Sequence, residues 1–126
     1  MRESCYKDAA RFLGAQTPED RERLMPLLLE AEPLVLQSAS PKHIFTETAA
    51  KAEGGLFTLA DLAPLASDDL CRLFDGAEAA VAVAITLGAD MDSCIRRQLL
   101  VNPGLGAAVG ALASAYVDDL LDQLVA

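Results

Sequence analysis

"EAAVAVAITLGADMDSCIRRQ", residues 78–98, is the stretch on which the reading of this chain turns. Its first eleven residues are apolar after Glu78, rich in Ala and Val, and end in Gly88. A run of that length holding Val, Ile and Thr reads as an extended strand, and its continuous apolarity predicts a fully buried, central one. Gly88 ends the strand. Asp90 or Asp92 then starts a helix that carries Cys94, Ile95, Leu99 and Leu100.

Working outward, the chain on both sides is mostly helical in pattern. Residues 98–117, "QLLVNPGLGAAVGALASAYV", carry no charge for about the length of a membrane span. Asn102-Pro103 is a helix start inside that run, and apolar residues recur at Leu112, Tyr116, Leu120 and Leu124. That is one-face periodicity, so a buried helix from Pro103 to about Val125 is expected rather than a membrane span. Towards the N-terminus, residues 5–14 form a short helix ended by Gly14. Thr17-Pro18-Glu19-Asp20 then combines a cap, a first-position proline and first-turn acids. The helix that follows holds Pro26 and Pro33 and is expected to kink or break at one of them. "KHIFTETAAK" alternates in part and reads as a strand, Glu53-Gly54-Gly55 as a turn, and "LFTLADL" as its hairpin partner. Ser67 caps a short helix through Phe74, with Gly76 beyond it. The fold class is therefore α+β in a single domain of residues 1–126, helix-dominant, with a small sheet and a buried Ala/Val-rich strand packed by helices.

Composition narrows the function classes. Hydrophobic residues make up 52% of the chain and aromatics 5%, so the core is built from Ala, Leu and Val. The net charge is −9, and after residue 53 only Arg72, Arg96 and Arg97 face ten acids. Nucleic-acid binding needs clustered cations, and this chain has no basic stripe. Cys5, Cys71 and Cys94 match no zinc spacing and, being three, cannot all pair within one chain. Reduced thiols, and an N-terminus without an apolar signal core, give a cytoplasmic expectation.

Individual residues yield little chemistry. His43 is the single histidine and sits in no activating context, so a solvent-facing position on a strand edge is expected. Asp118, Asp119 and Asp122 form an acidic cluster on a helix, but hard cations need more oxygen ligands than one turn supplies. Asp92 and Arg96 are spaced for an i,i+4 ion pair. A lone Gly88 followed by acids excludes a dinucleotide or phosphate loop. A strand end can still line a ligand pocket, and Thr86, Gly88 and Arg97 are the candidate cofactor-binding residues. No catalytic or metal-binding residue is assigned. Gly106 and Gly110, four residues apart, cost helix stability and call for a close backbone neighbour. That neighbour is either the Ala-rich strand or a second protomer, which would make this face a homo-oligomer interface.

Taken in succession, "AARFLG", "SPKHIFTE" and the long stretch from "LASDDLCRLFDG" to "YVDDLLDQL" resemble a known family. They look like the first half of the activation domain of cobalamin-dependent methionine synthase, in its small stand-alone form. The most specific piece is Ala84-Ile85-Thr86-Leu87-Gly88, then Asp92, then Ile95-Arg96-Arg97. The resemblance implies a helix-rich α+β fold, a corrinoid-linked setting and a domain that binds S-adenosylmethionine and docks on a cobalamin-binding domain. In that family the S-adenosylmethionine contacts lie largely in an Arg-x-x-x-Gly-Tyr segment. The present sequence has no Gly-Tyr pair, and its Arg72-x-x-x-Gly76 is followed by Ala77. The expectation is an accessory or binding module that works beside a corrinoid protein or a methyltransferase. One alternative is a component of a cobalamin-reactivating, S-adenosylmethionine-dependent enzyme whose second half is separate or missing. The other is a homo-oligomeric small-ligand-binding protein.

Overall fold

The structure, a computed structural model, describes residues 1–125. Five helices and four strands follow one another: α1 (Glu3–Phe12), α2 (Pro18–Ser38), β1 (Lys42–Glu53), β2 (Leu56–Leu59), β3 (Leu65–Ala66), α3 (Asp68–Leu73), β4 (Ala79–Thr86), α4 (Ala89–Val101) and α5 (Pro103–Val125). The α+β, helix-dominant class is the one the sequence pattern implies. Two compact units share the chain: Met1–Lys42 with the segment from Ile85 onward, and His43–Ala84.

The first unit is helical, with α5 packed against α1, α2 and α4. Its core takes Cys5, Ala9 and Ala10 from α1, Leu28, Ala31 and Val35 from α2, and Met91 and Cys94 from α4. From α5 come Leu105, Ala108, Val109, Leu112, Ala113 and Ala115. Small side chains predominate, which lets helix axes approach closely. Helix starts fall where side chains can take up free backbone donors. The Thr17 hydroxyl accepts from the Asp20 N–H at 3.1 Å, and Asn102 Oδ1 accepts from the Leu105 N–H at 3.3 Å.

Helix α2 is continuous through both prolines, so it breaks at neither. Pro26 and Pro33 lie on its exposed face, as do Glu22 and Leu29, whose carbonyls lose their helical donors. Water can satisfy carbonyls on that side. The opposite stripe of Leu28, Ala31 and Val35 is fully buried and holds the helix together. Helix α5 is long and apolar enough to cross a membrane by length and composition, and its stripe from Leu105 through Leu112 to Ala115 is buried in this core.

In the second unit β1 and β2 form a hairpin in which Glu53 pairs with Leu56. Gly54 (φ 59°) and Gly55 (φ 79°) are both in the left-handed region that a two-residue turn of this hand requires. The sheet order is β3-β2-β1-β4. Phe57 is buried and stacks on Phe74 beyond α3, with ring centroids 4.7 Å apart. Contrary to the expectation of a buried central strand, β4, the Ala/Val-rich strand, is neither central nor buried. It lies at the end of the sheet order with none of its residues fully buried. An apolar run limits the water a strand prefers, but it does not fix the strand's rank in the sheet. Alanines are also small enough to stay exposed at little cost.

Candidate functional site

The turn from β4 into α4 is held by its own backbone. Gly88 has φ 91° and ψ 166°, a conformation essentially restricted to glycine. The Thr86 hydroxyl accepts from the Gly88 N–H at 3.0 Å, and the Ser40 N–H donates to the Leu87 carbonyl at 2.7 Å. Leu87 is buried in the helical core and anchors the turn. The Gly88 donor is thereby occupied within the chain, and Asp90 and Asp92 fill the first turn of α4. Thr86 and Gly88 come together, but Arg97 does not join them. It is exposed on α4 eight residues beyond Ala89, about 12 Å along the helix. The three candidates therefore do not line one pocket: Thr86 and Gly88 share the turn, and the Arg97 guanidinium lies well along α4.

The expected Asp92–Arg96 ion pair is not made. Arg96 turns towards the Ser93 hydroxyl at 3.4 Å. Both charges are exposed, and such a pair is worth only a few tenths of a kcal/mol, so solvent competes with it. His43 is exposed on β1, with its ring 6.4 Å from that of Phe45 on the same strand. Among the described residues no three His, Cys, Asp or Glu side chains converge as a metal-ligating group.

The acidic cluster separates into two roles. Asp118 and Asp122 are exposed, whereas Asp119 is buried and takes a two-pronged ion pair from Arg2 at the head of α1. Gln123 Nε2 also donates to Asp119 at 3.0 Å. The Arg2 guanidinium holds the Asp119 carboxyl below its ordinary range, and Gln123 adds to this. Burial, followed by the Asp119 charge, pushes the Cys5 thiol up, so it stays protonated. The sequence carries a signal that separates Asp119 from Asp118 and Asp122. Asp119 lies four residues after Ala115 and seven after Leu112, on the buried stripe of α5.

This pair makes a testable contribution to pH-dependent stability. With the folded pKa depressed, the stabilisation is present above the unfolded carboxylate value of about 4 and is lost as pH falls through the folded value. Asp119→Asn is expected to lower stability by about 1–2 kcal/mol at neutral pH, the scale of a lost hydrogen-bonded buried partner. Thermal unfolding should show the gap from the parent chain narrowing below about pH 4. A gap unchanged down to pH 3 would assign the loss to packing instead.

Within the chain, the close neighbour of Gly106 is not the Ala-rich strand. A Cβ on Gly106 would lie 2.5 Å from the Leu99 amide nitrogen and 2.7 Å from Leu99 Cα, so the close neighbour is the backbone of α4. Gly106 is buried by that approach, and Gly110 faces Ile95 of the same helix. Gly106 is closed off within the chain by α4, whereas Gly110 is only half-buried.

Surface clefts and exposed apolar side chains are further places where something could bind. A cleft of about 190 Å³ beside α1 and the start of α2 is bordered by Lys7, Arg11 and Arg21. Asp8 lines the same cleft and pairs with Arg11 at 3.3 Å, so much of its positive charge is already offset. The second unit exposes several large apolar side chains. Ile44 is 75% exposed, Phe45 69% and Leu73 76%, and Leu62 and Leu65 are also exposed. No protein-family model, no curated protein and no solved structure matches the chain.

Proposed function

We propose that this chain is an accessory binding module of corrinoid-dependent methyl transfer, one that presents a docking surface to a corrinoid protein. The reading joins two things: the resemblance of residues 84–97 to the methionine synthase activation domain, and the apolar surface of the unit His43–Ala84. The second carries the argument. Large apolar side chains left exposed on a small unit cost solvation free energy unless a partner covers them. Ile44 and Phe45 are adjacent on β1, point to opposite faces of the strand and are both largely exposed, so this end of β1 is open on both sides. A protein partner with an apolar patch fits that surface, whereas the acidic balance of the chain repels nucleic acid and other anions.

The test is a calorimetric titration of the full chain into a corrinoid protein loaded with methylcobalamin. The reading expects saturable binding, weakened at least about tenfold, or 1.4 kcal/mol, by Ile44→Asp combined with Phe45→Asp. It also expects no heat with S-adenosylmethionine alone. Binding that the double substitution leaves unchanged would remove β1 as the docking surface. Saturable S-adenosylmethionine binding would turn the reading towards an enzyme component.

A further inference from the structure

The cleft between α1 and the start of α2 holds cations that the fold leaves unmatched. Lys7 and Arg11 lie four residues apart on one face of α1, and Arg21 joins them from α2. Arg11 is engaged. It pairs with Asp8 at 3.3 Å, and its guanidinium carbon lies 5.6 Å from the centroid of the Phe12 ring. Lys7 and Arg21 are not: none of the ion pairs among the described residues includes either one. Arg21 is half-buried, and a charge partly withdrawn from water without a carboxylate is costly. The nearest acid of α2, Asp20, accepts from the Gln16 N–H at 3.3 Å and lines a separate cleft with Arg23. A second cleft, of about 530 Å³, adjoins the first and shares Lys7 and Arg21 with it. Its other borders are Glu3, Ser4, Tyr6 and Met25. The Tyr6 hydroxyl donates to Glu32, so the ring is held in place and its polar end is occupied.

We propose that these two clefts form one binding site for a small organic phosphate monoester. Lys7 and Arg21 hold the phosphoryl group, and the organic part lies against Tyr6 and Met25. The charges match. Asp8 offsets one of the three cations of the smaller cleft and leaves two, against about two negative charges on a phosphate monoester at neutral pH. A guanidinium and an ammonium also supply the charge-assisted hydrogen bonds that phosphate oxygens accept. A monocarboxylate would leave one cation uncovered. The smaller cleft, about 190 Å³, is several times the ~30 Å³ share of one water, which is room for a phosphoryl group. Glu3 borders only the larger cleft and disfavours a second anionic group there, so the site selects a monoester over a polyanion. The net charge of −9 does not oppose this locally, because charges beyond a Debye length of about 8 Å are largely screened. All these residues belong to α1, α2 and the turn between them. The inference does not depend on the corrinoid reading, and its test contains no corrinoid protein.

The test is a ¹H–¹⁵N NMR titration of the full chain with phenyl phosphate, which carries two negative charges and one apolar ring. Saturable shifts confined to α1 and the start of α2 are expected, with a Kd of about 1 mM at low ionic strength. Inorganic phosphate, which lacks the ring, and benzoate, which has one charge, should each bind at least about threefold more weakly. Lys7→Gln and Arg21→Gln should each weaken phenyl phosphate at least about fivefold. Asp8→Asn frees Arg11 and should tighten binding about twofold, a gain that damage to the fold would not produce. Arg23→Gln, which removes a cation bordering the other cleft, should leave Kd unchanged within about twofold. Lys7 is exposed, so its variant keeps the test open if Arg21→Gln fails to fold. Absence of saturation at about 20 mM phenyl phosphate, equal binding of benzoate, or equal weakening by Arg23→Gln and Lys7→Gln would each overturn the proposal.

Discussion

Replacing Gly106 by alanine is expected to lower the stability of this chain by about 2–3 kcal/mol, although alanine is the better helix former by about 1 kcal/mol. The reason is where the new methyl would go. Its carbon would lie 2.5–2.9 Å from the Leu99 amide nitrogen, Leu99 Cα and the Gln98 carbonyl carbon. These are backbone atoms in the middle of α4 and cannot swing aside as the end of a side chain can. The two helices must separate, and the core residues between them, including Met91, Cys94 and Val109, would lose contact. Gly110→Ala is the internal control. Its Cβ would sit 3.8 Å from Ile95 Cγ2, an ordinary contact, so the propensity gain should survive and leave stability unchanged or up to about 1 kcal/mol higher. Urea unfolding of the two variants measures both effects. Equal destabilisation by the two would mean that α4 and α5 do not meet at Gly106.

The second large effect is expected from Leu112→Ala, at about 3–4 kcal/mol and a fall of roughly 10–15 °C in Tm. Leu112 is fully buried midway along α5, the helix that packs on α1, α2 and α4 alike. The core it belongs to is rich in small side chains: Ala108, Ala113 and Ala115 on α5, Ala31 on α2, and Ala9 and Ala10 on α1. Alanines have no flexible reach with which to fill a lost isobutyl group, so the cavity stays open and the cost lies above the minimum for Leu→Ala. Leu124→Ala, at an end of the same helix where the side chain is 41% exposed, should change Tm little. A comparable loss at both positions would contradict the placement of the core.

The parts of the fold legible in the sequence are those governed by local chemistry. Thr17-Pro18, Ser67 and Asn102-Pro103 start helices because a short polar side chain reaches a free backbone N–H, and those hydrogen bonds are present. Gly54-Gly55 makes the hairpin because two successive residues must take positive φ. The parts not legible depend on partners distant in sequence. The prolines in α2 imply a break only if their face is buried, and it is exposed. The apolar run at 79–86 has the composition of a buried strand, yet its place at the sheet edge is set by which strands pair, which the run itself does not encode. Asp119 was hidden among Asp118 and Asp122 because its partner, Arg2, is 117 residues away. Of the candidate site, the strand, turn and helix at Thr86 and Gly88 were readable. The distance to Arg97 and the engagement of the Thr86 hydroxyl were not.

The account rests most heavily on the apolar unit His43–Ala84 as a docking surface. Its most direct test is size-exclusion chromatography of the full chain with a methylcobalamin-loaded corrinoid protein, followed by the corrinoid's visible absorbance. The account predicts that the absorbance shifts to an earlier volume together with this chain, and that Ile44→Asp combined with Phe45→Asp abolishes the shift. Separate elution of the two parent proteins at concentrations of about 100 μM would contradict it.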